Sequence, residues 1–321
     1  MLILGVAGIL LWLSLRGLQP SGDQNKTDLL WQTWQQANKY YLLIMAVVAV
    51  LSHWLRAVRW RLLIQQTGHS VQTWNSFHSL MIGYLVNLGI PRGGEISRSY
   101  TLYNLERTPV ETSFGTVVAE RIVDLICMLT LLGMAFLAEW KKLMAFFDEL
   151  GIGSSQALTI PVWLWVALIL LVAVGLSLYL FRRNAKLLKI IIGFKTGLMA
   201  IVQLKQKGPF LFYSVAIWVL YFLMTYSVML AFEQTAHLGL GSVLILFAIG
   251  AVAMALPLPG GLGSYHTLMP LGLVMIYQLP KPEATAFVFV FHAWQTVVMI
   301  MSGLVSLVCT YVILQLRKRT S

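Results

Sequence analysis

The sequence predicts an all-α membrane protein that crosses the bilayer several times. Three observations carry that expectation. Of 321 residues, 58% are hydrophobic and only 11% are charged, with a mean hydropathy of +0.77. Apolar runs of about twenty residues recur along the chain, the length a helix needs to cross a bilayer core. Two interruptions combine Pro with paired Gly, at Pro91-Arg92-Gly93-Gly94-Glu95 and at Pro257-Leu258-Pro259-Gly260-Gly261. Proline removes a backbone donor and glycine admits unusual backbone angles, so each site should break a helix.

Composition also excludes function classes. Net charge is +11, from 23 basic and 12 acidic residues. In such an apolar chain that excess reports cytoplasmic loops and anionic lipid, and no nucleic-acid partner is expected. Cys127 and Cys309 lie inside apolar runs and offer neither a disulfide framework nor metal-ligand spacing. No phosphate-binding loop, dinucleotide fingerprint or His-Glu-x-x-His is present, so no cofactor, no metal and no ATP-driven pump on this chain alone is expected.

Taken in order, residues 2–15 read as a retained span, because they lack a basic leader and a small-residue cleavage site. Residues 22–38 are polar, with Leu29, Leu30, Trp31 and Trp34 at roughly helical spacing, which suggests a surface helix. Residues 40–63 form the next span and end in Arg56, Arg59 and Arg61, read as a cytoplasmic signature. Two shorter arms, 73–88 and 96–104, flank the first break. The span 110–140 follows, then a loop with Asp148 and Glu149 that is placed outside, with Trp140, Trp163 and Trp165 as interface anchors. Residues 162–181 span again. Residues 182–207 hold seven basic residues and no acid, the clearest cytoplasmic segment and an expected contact for anionic lipid. Leu187, Ile191, Phe194, Leu198 and Ile201 give it the apolar face of an interfacial helix. Spans at 210–232 and 283–316 enclose the second pair of arms, 242–256 and 264–277.

Sidedness then constrains the breaks. Arg56–Arg61 lies inside, the loop after Trp140 lies outside, and one span already joins them. Residues 73–104 should therefore start and finish on the cytoplasmic face, as a re-entrant hairpin. The same reasoning makes 242–277 a hairpin from the opposite face. Halves of about 1–158 and 159–321 form an inverted-topology repeat within one transmembrane domain. Gly/Pro-interrupted segments at matching places in two halves point to a transporter's midplane site. A topology in which both hairpins cross fully satisfies the charges equally well.

The polar residues converge on the same place. Glu120, Arg121 and Asp124 lie within one span, Glu95 and Arg98 share a face of the second arm, and Arg92 sits at the break. Charges at such depth must pair or meet water. One network of Arg92, Glu95, Arg98, Glu120, Arg121 and Asp124 is expected, with Gly93 and Gly94 presenting free amides where the helix restarts. Arginine forks and helix N-terminal amides suit a phosphate. A purely structural ion network is the alternative. In the second half, Pro259, Gly260 and Gly261 form the tip, and His266 and His292 follow. The histidines either pack by hydrogen bonding or titrate as a proton-coupling pair. Tyr84, Asn87 and Tyr265 flank the breaks, where they can bond the freed backbone.

Three stretches, Asn87-Leu-Gly-Ile-Pro-Arg-Gly-Gly-Glu-Ile-Ser-Arg98, Val118-Ala-Glu-Arg-Ile-Val-Asp124 and Pro257-Leu-Pro-Gly-Gly-Leu-Gly263, resemble the flippase-like membrane family. That family includes the transmembrane region of lysylphosphatidylglycerol synthase/flippase proteins, and the resemblance covers nearly the whole chain. It implies a bacterial or archaeal inner-membrane protein that handles an aminoacylated phospholipid, a glycolipid or a polyprenyl-phosphate lipid. Two departures stand out. His266 occupies the place where the family pattern has Glu, and His292 the place where it has Arg. The soluble aminoacyl-transfer domain has no counterpart here, so the resemblance implies transport without lysyl transfer. The expected function is translocation of an anionic or phosphate-headed lipid across the bacterial inner membrane. Two other classes stay open: an intramembrane enzyme acting on a lipid headgroup, with His266 as base, and a non-transporting partner of an envelope-synthesis complex.

Overall fold

A computed structural model describes residues 2–18, 25–149, 185–256 and 258–320. The expected span at 162–181, with its flanking Trp163 and Trp165, and Pro257 lie outside the described residues.

The described residues form helices and turns, without strands. The first are α1 (Leu2–Gly17), α2 (Lys26–Gln36) and α3 (Lys39–Gln66). Asn38 separates α2 from α3 and caps the latter, its side chain accepting from the Tyr40 amide at 3.0 Å. The first broken pair is α4 (Thr73–Asn87) and α5 (Gly93–Glu106). Arg107 ends α5 in the left-handed region at φ 57, and Pro109 two residues on prevents the helix from continuing. Next come α6 (Val110–Glu149), bent at Glu139, and α7 (Ala185–Met199). The chain continues through α8 (Lys207–Ala231), the single turn α9 (Glu233–Ala236) and α10 (Leu240–Ala255). A 3-10 turn at Pro259–Gly261 leads into α11 (Ser264–Tyr277), and α12 (Lys281–Thr320) closes the chain. Within these helices, Lys39–Gln66, Val110–Lys142, Lys207–Ala231 and Lys281–Arg319 are long and apolar enough to cross a membrane. The protein is an all-α polytopic membrane protein.

Both expected breaks are present, and each joins helices that fold back on one another. In the first hairpin α4 and α5 touch at their backbones: a Cβ on Gly94 would stand 1.9 Å from the Gly83 carbonyl oxygen. No side chain fits there. In the second, Gly260, Gly261 and Gly263 have φ of 55, 74 and 89, angles that side chains disfavour. The Ser264 hydroxyl donates to the Ala253 carbonyl at 2.8 Å and closes that hairpin. The arms have 15 and 14 residues in the first hairpin and 16 and 14 in the second. At roughly 1.5 Å per residue each is shorter than a bilayer core of about 30 Å.

Packing around α3 positions the site. Leu42, Met45 and Ala49 of α3 join a large apolar core with α8, α10, α11 and α12. Leu62 and Leu63 join a second apolar group with Ala119 and Phe210, while Trp60 and Ile64 join a third with Leu102 and Val117. Arg56 and Arg59 fall between these groups along the helix. The basic helix α7 lies against α6, with Phe114 and Phe194 rings 6.2 Å apart. Phe194 and Leu198 are partly buried, while Leu188, Ile190 and Ile192 remain exposed. Leu187 lies outside the residues whose side chains are described.

Candidate functional site

Three helices bring the charges together. Arg56 and Arg59 come from α3, Arg98 from α5, and Glu120 and Asp124 from α6. Arg59 is fully buried and holds both carboxylates, reaching Asp124 Oδ1 at 2.7 Å and Glu120 Oε1 at 3.2 Å. Arg56 takes the other Asp124 oxygen at 2.7 Å and donates to the Tyr221 hydroxyl at 3.3 Å. Arg98 pairs with Glu120 Oε2 and lies over the Trp60 ring, 4.4 Å from its centroid. Arg59 also donates to the Ser214 hydroxyl at 3.3 Å. These contacts tie α3, α5, α6 and α8 into one ionic centre. The helical spacing explains it: Glu120 and Asp124 are one turn apart, as are Arg56 and Arg59, so two like pairs face each other in register.

A second group sits at the hairpin tip. Arg121 Nε donates to Glu95 Oε1 at 2.9 Å, and Arg92 approaches the same oxygen at 3.8 Å. Its guanidiniums are accessible: the Arg92 side chain is 54% exposed and that of Arg121 is 37% exposed, against 14% for Glu95. Arg92 Nη2 also donates to the Ala255 carbonyl at 3.1 Å, which links this tip to the last residue of α10.

The expected network is therefore divided. Arg98, Glu120 and Asp124 belong to the inner group, and Arg92, Glu95 and Arg121 to the outer one. Glu95 does not pair with Arg98 despite their shared face, because the Glu95 side chain turns to Arg121. Each group holds one more arginine than carboxylate: three against two inside, two against one outside.

Arg56 and Arg59, read from the sequence as a cytoplasmic signature at the end of a span, are 6% and 0% exposed partners of the inner carboxylates. One sequence expectation needs correction: the amides at the helix restart are not free. Gly94 N–H donates to Asn87 Oδ1 at 2.8 Å and Gly93 N–H to the Ile90 carbonyl at 3.0 Å. Asn87 thus bonds the freed backbone, one of the roles its position suggested. The two tyrosines do something else. The Tyr84 hydroxyl is buried without a hydrogen-bond partner among the described residues, its ring 4.7 Å from that of His53. Tyr265 stacks on His292, with ring centroids 5.3 Å apart.

At the second break His292 Nε2 lies 3.0 Å from the Gly260 carbonyl oxygen, so this nitrogen carries the proton and donates. His266 and His292 rings are 4.7 Å apart, and the His266 carbonyl accepts from Ser14 of α1. Pro259 and Gly261 are buried at this tip. Among the described residues no group of His, Cys, Asp and Glu is arranged to hold a metal ion.

Residues 1–303 match the family model described as the lysylphosphatidylglycerol synthase TM region. The chain belongs to this family. Among curated relatives, a UPF0104 membrane protein from Methanothermobacter thermautotrophicus is 24% identical over 265 residues, 73% of this chain and 75% of its own. The UPF0104 membrane protein MJ1595 from Methanocaldococcus jannaschii is 32% identical over 90 residues. That match spans 27% of each chain. Both relatives of this lysylphosphatidylglycerol synthase TM-region protein are archaeal. No solved structure matches the chain.

Proposed function

We propose that this protein translocates a phosphate-bearing lipid across the cytoplasmic membrane of its host, with the outer charged group as the headgroup contact. The observation that carries this reading is the pairing of two accessible arginines, Arg92 and Arg121, with a single carboxylate, Glu95, at the tip of a broken hairpin. An unbalanced guanidinium pair favours a doubly accepting anion, and phosphate matches the arginine fork. Irregular backbone at membrane depth is tolerated where it is buried in protein or lines a watery path. The contact between the Arg92 tip and Ala255 supports a single site bounded by both hairpins.

On this reading the inner group has a different task. Arg56, Arg59, Arg98, Glu120 and Asp124 lock the helices that frame the tip, and Gly93, Gly94, Pro259, Gly260, Gly261 and His292 shape the two breaks. His266 stands beside His292 and needs no catalytic role. The two hairpins enter from opposite faces as parts of an inverted repeat, which would let the path open to either side. The candidate substrates are anionic phospholipids, phosphate-linked glycolipids and polyprenyl-phosphate lipids.

The test is lipid scrambling in proteoliposomes, with a dithionite-quenchable phosphatidylglycerol analogue. Arg92→Ala and Arg121→Ala should slow scrambling with folding intact, whereas Glu120→Gln should lose both. Equal rates in wild type and the two arginine variants would remove the assignment.

A further inference from the structure

A second candidate lipid site lies away from the hairpin tips, at the end of α3 that precedes α4. Trp54, Arg61, Gln65, Gln72, Thr73 and Trp74 line an open cleft of about 510 Å³. Arg61 is its charged group. One arm of its guanidinium donates to the Thr73 hydroxyl at 2.8 Å. Its Nε is buried and has no hydrogen-bond partner among the described residues. A buried cationic N–H without an acceptor is unfavourable, and a phosphate offers paired oxygens to the guanidinium edge that Nε belongs to. The nearby Glu106 carboxylate is already engaged, accepting from the Gln72 amide at 3.0 Å and from the Asn75 side chain at 2.6 Å.

The walls of the cleft are aromatic. Trp54 and Trp74 meet edge-on with centroids 4.5 Å apart, and Trp74 is 61% exposed. Tryptophan favours the boundary between hydrocarbon and headgroups. From the partly buried Trp54 an exposed apolar stripe runs back along the same face of α3, through Leu51 and Val47 to Leu43. Leu51 and Arg61 are ten residues apart on this helix, roughly 15 Å, about half of a 30 Å hydrocarbon core. The cation therefore stands about one leaflet's depth from Leu51, as a headgroup stands from the end of its acyl chain.

We infer that this cleft holds one anionic phospholipid, its phosphate on Arg61 and Thr73 and one acyl chain along Trp54 and Leu51. A choline headgroup would bring a second cation toward Arg61, so zwitterionic lipid fits less well. The site is separate from the Arg92 tip and does not depend on the translocation reading.

Native mass spectrometry of the full chain in detergent, titrated with phosphatidylglycerol, phosphatidylcholine or inorganic phosphate, tests this. Wild type and the tail variant Lys318→Ala should retain phosphatidylglycerol equally. Arg61→Ala should weaken retention about tenfold, roughly 1.4 kcal/mol, and Arg61→Lys should weaken it less. Trp74→Ala removes an exposed ring and leaves folding intact, and it too should lower retention. Equal retention by wild type, Arg61→Ala and Trp74→Ala would overturn the site, as would equal affinity for phosphatidylcholine. Full displacement by inorganic phosphate alone would assign the cleft to free phosphate instead of lipid. Because lipid retention is read without any transport step, failure here is distinct from failure of the scrambling assay.

Discussion

The guanidinium of Arg92 donates to the carbonyl oxygen of Ala255 at 3.1 Å. That carbonyl ends α10, where helical geometry leaves acceptors without partners. The first helix break is thereby fastened to the second, and the fastening group is one of the two accessible arginines at the tip. Arg92→Ala should lower lipid scrambling at least about tenfold, a loss of roughly 1.4 kcal/mol in the rate-limiting step. Its thermal midpoint should move little, because partly exposed ion pairs contribute only about 0–1 kcal/mol.

The inner group should respond in the opposite sense. Arg59→Met leaves Asp124 and Glu120 each with a single arginine in a buried setting. Removing one member of a buried ionic group costs on the order of 3–5 kcal/mol. Unfolding in detergent, followed by near-ultraviolet circular dichroism, should show that loss for Arg59→Met and a comparable one for Glu120→Gln.

Close backbone contact between α4 and α5 predicts a third outcome. Gly94→Ala places a methyl group 1.9 Å from the Gly83 carbonyl oxygen, which neither helix can yield without separating. Overpacking of this kind costs about 1–3 kcal/mol. Gly89→Ala is the control, since its nearest neighbour would be 4.0 Å away. Thermal unfolding should distinguish the two, with Gly94→Ala alone destabilised.

His292 has a structural duty that can be separated from proton coupling. His292→Ala leaves the Gly260 carbonyl without its side-chain donor, a loss of about 1–3 kcal/mol for a buried group. His292→Gln restores an N–H donor without a titrating ring. If the residue only holds the break, the glutamine variant should recover both stability and scrambling across pH 5 to 8. Recovery of stability without scrambling would assign the ring to proton transfer.

Most of the architecture could be read from the residues. Pro91, Gly93 and Gly94 marked the first break, and Pro259, Gly260 and Gly261 the second, because these residue types constrain the backbone locally. The four long apolar helices were visible as runs of hydropathy. The site was read less completely. Glu120 and Asp124 announced themselves as acids inside an apolar span. Arg56 and Arg59 did not, because they lie near the end of a helix where the positive-inside rule offers a ready explanation. Their spacing of one turn, matching that of Glu120 and Asp124, was the available signal. The division into inner and outer groups could not be read at all, since it depends on which way the Glu95 side chain turns. Nor could the capture of the Gly94 amide by Asn87, a contact set by the shape of the turn between them.

Arg92 adopts φ 61 and ψ 0, a left-handed conformation that a residue with a Cβ resists by roughly 1–2 kcal/mol. Glycine would sit there at ease, and glycine already follows at the next two positions. A protein selected for robustness alone has every reason to place a third one at 92. Arg92→Gly should therefore melt at a higher temperature than the parent while losing the cationic tip, so that durability and activity part company at a single residue.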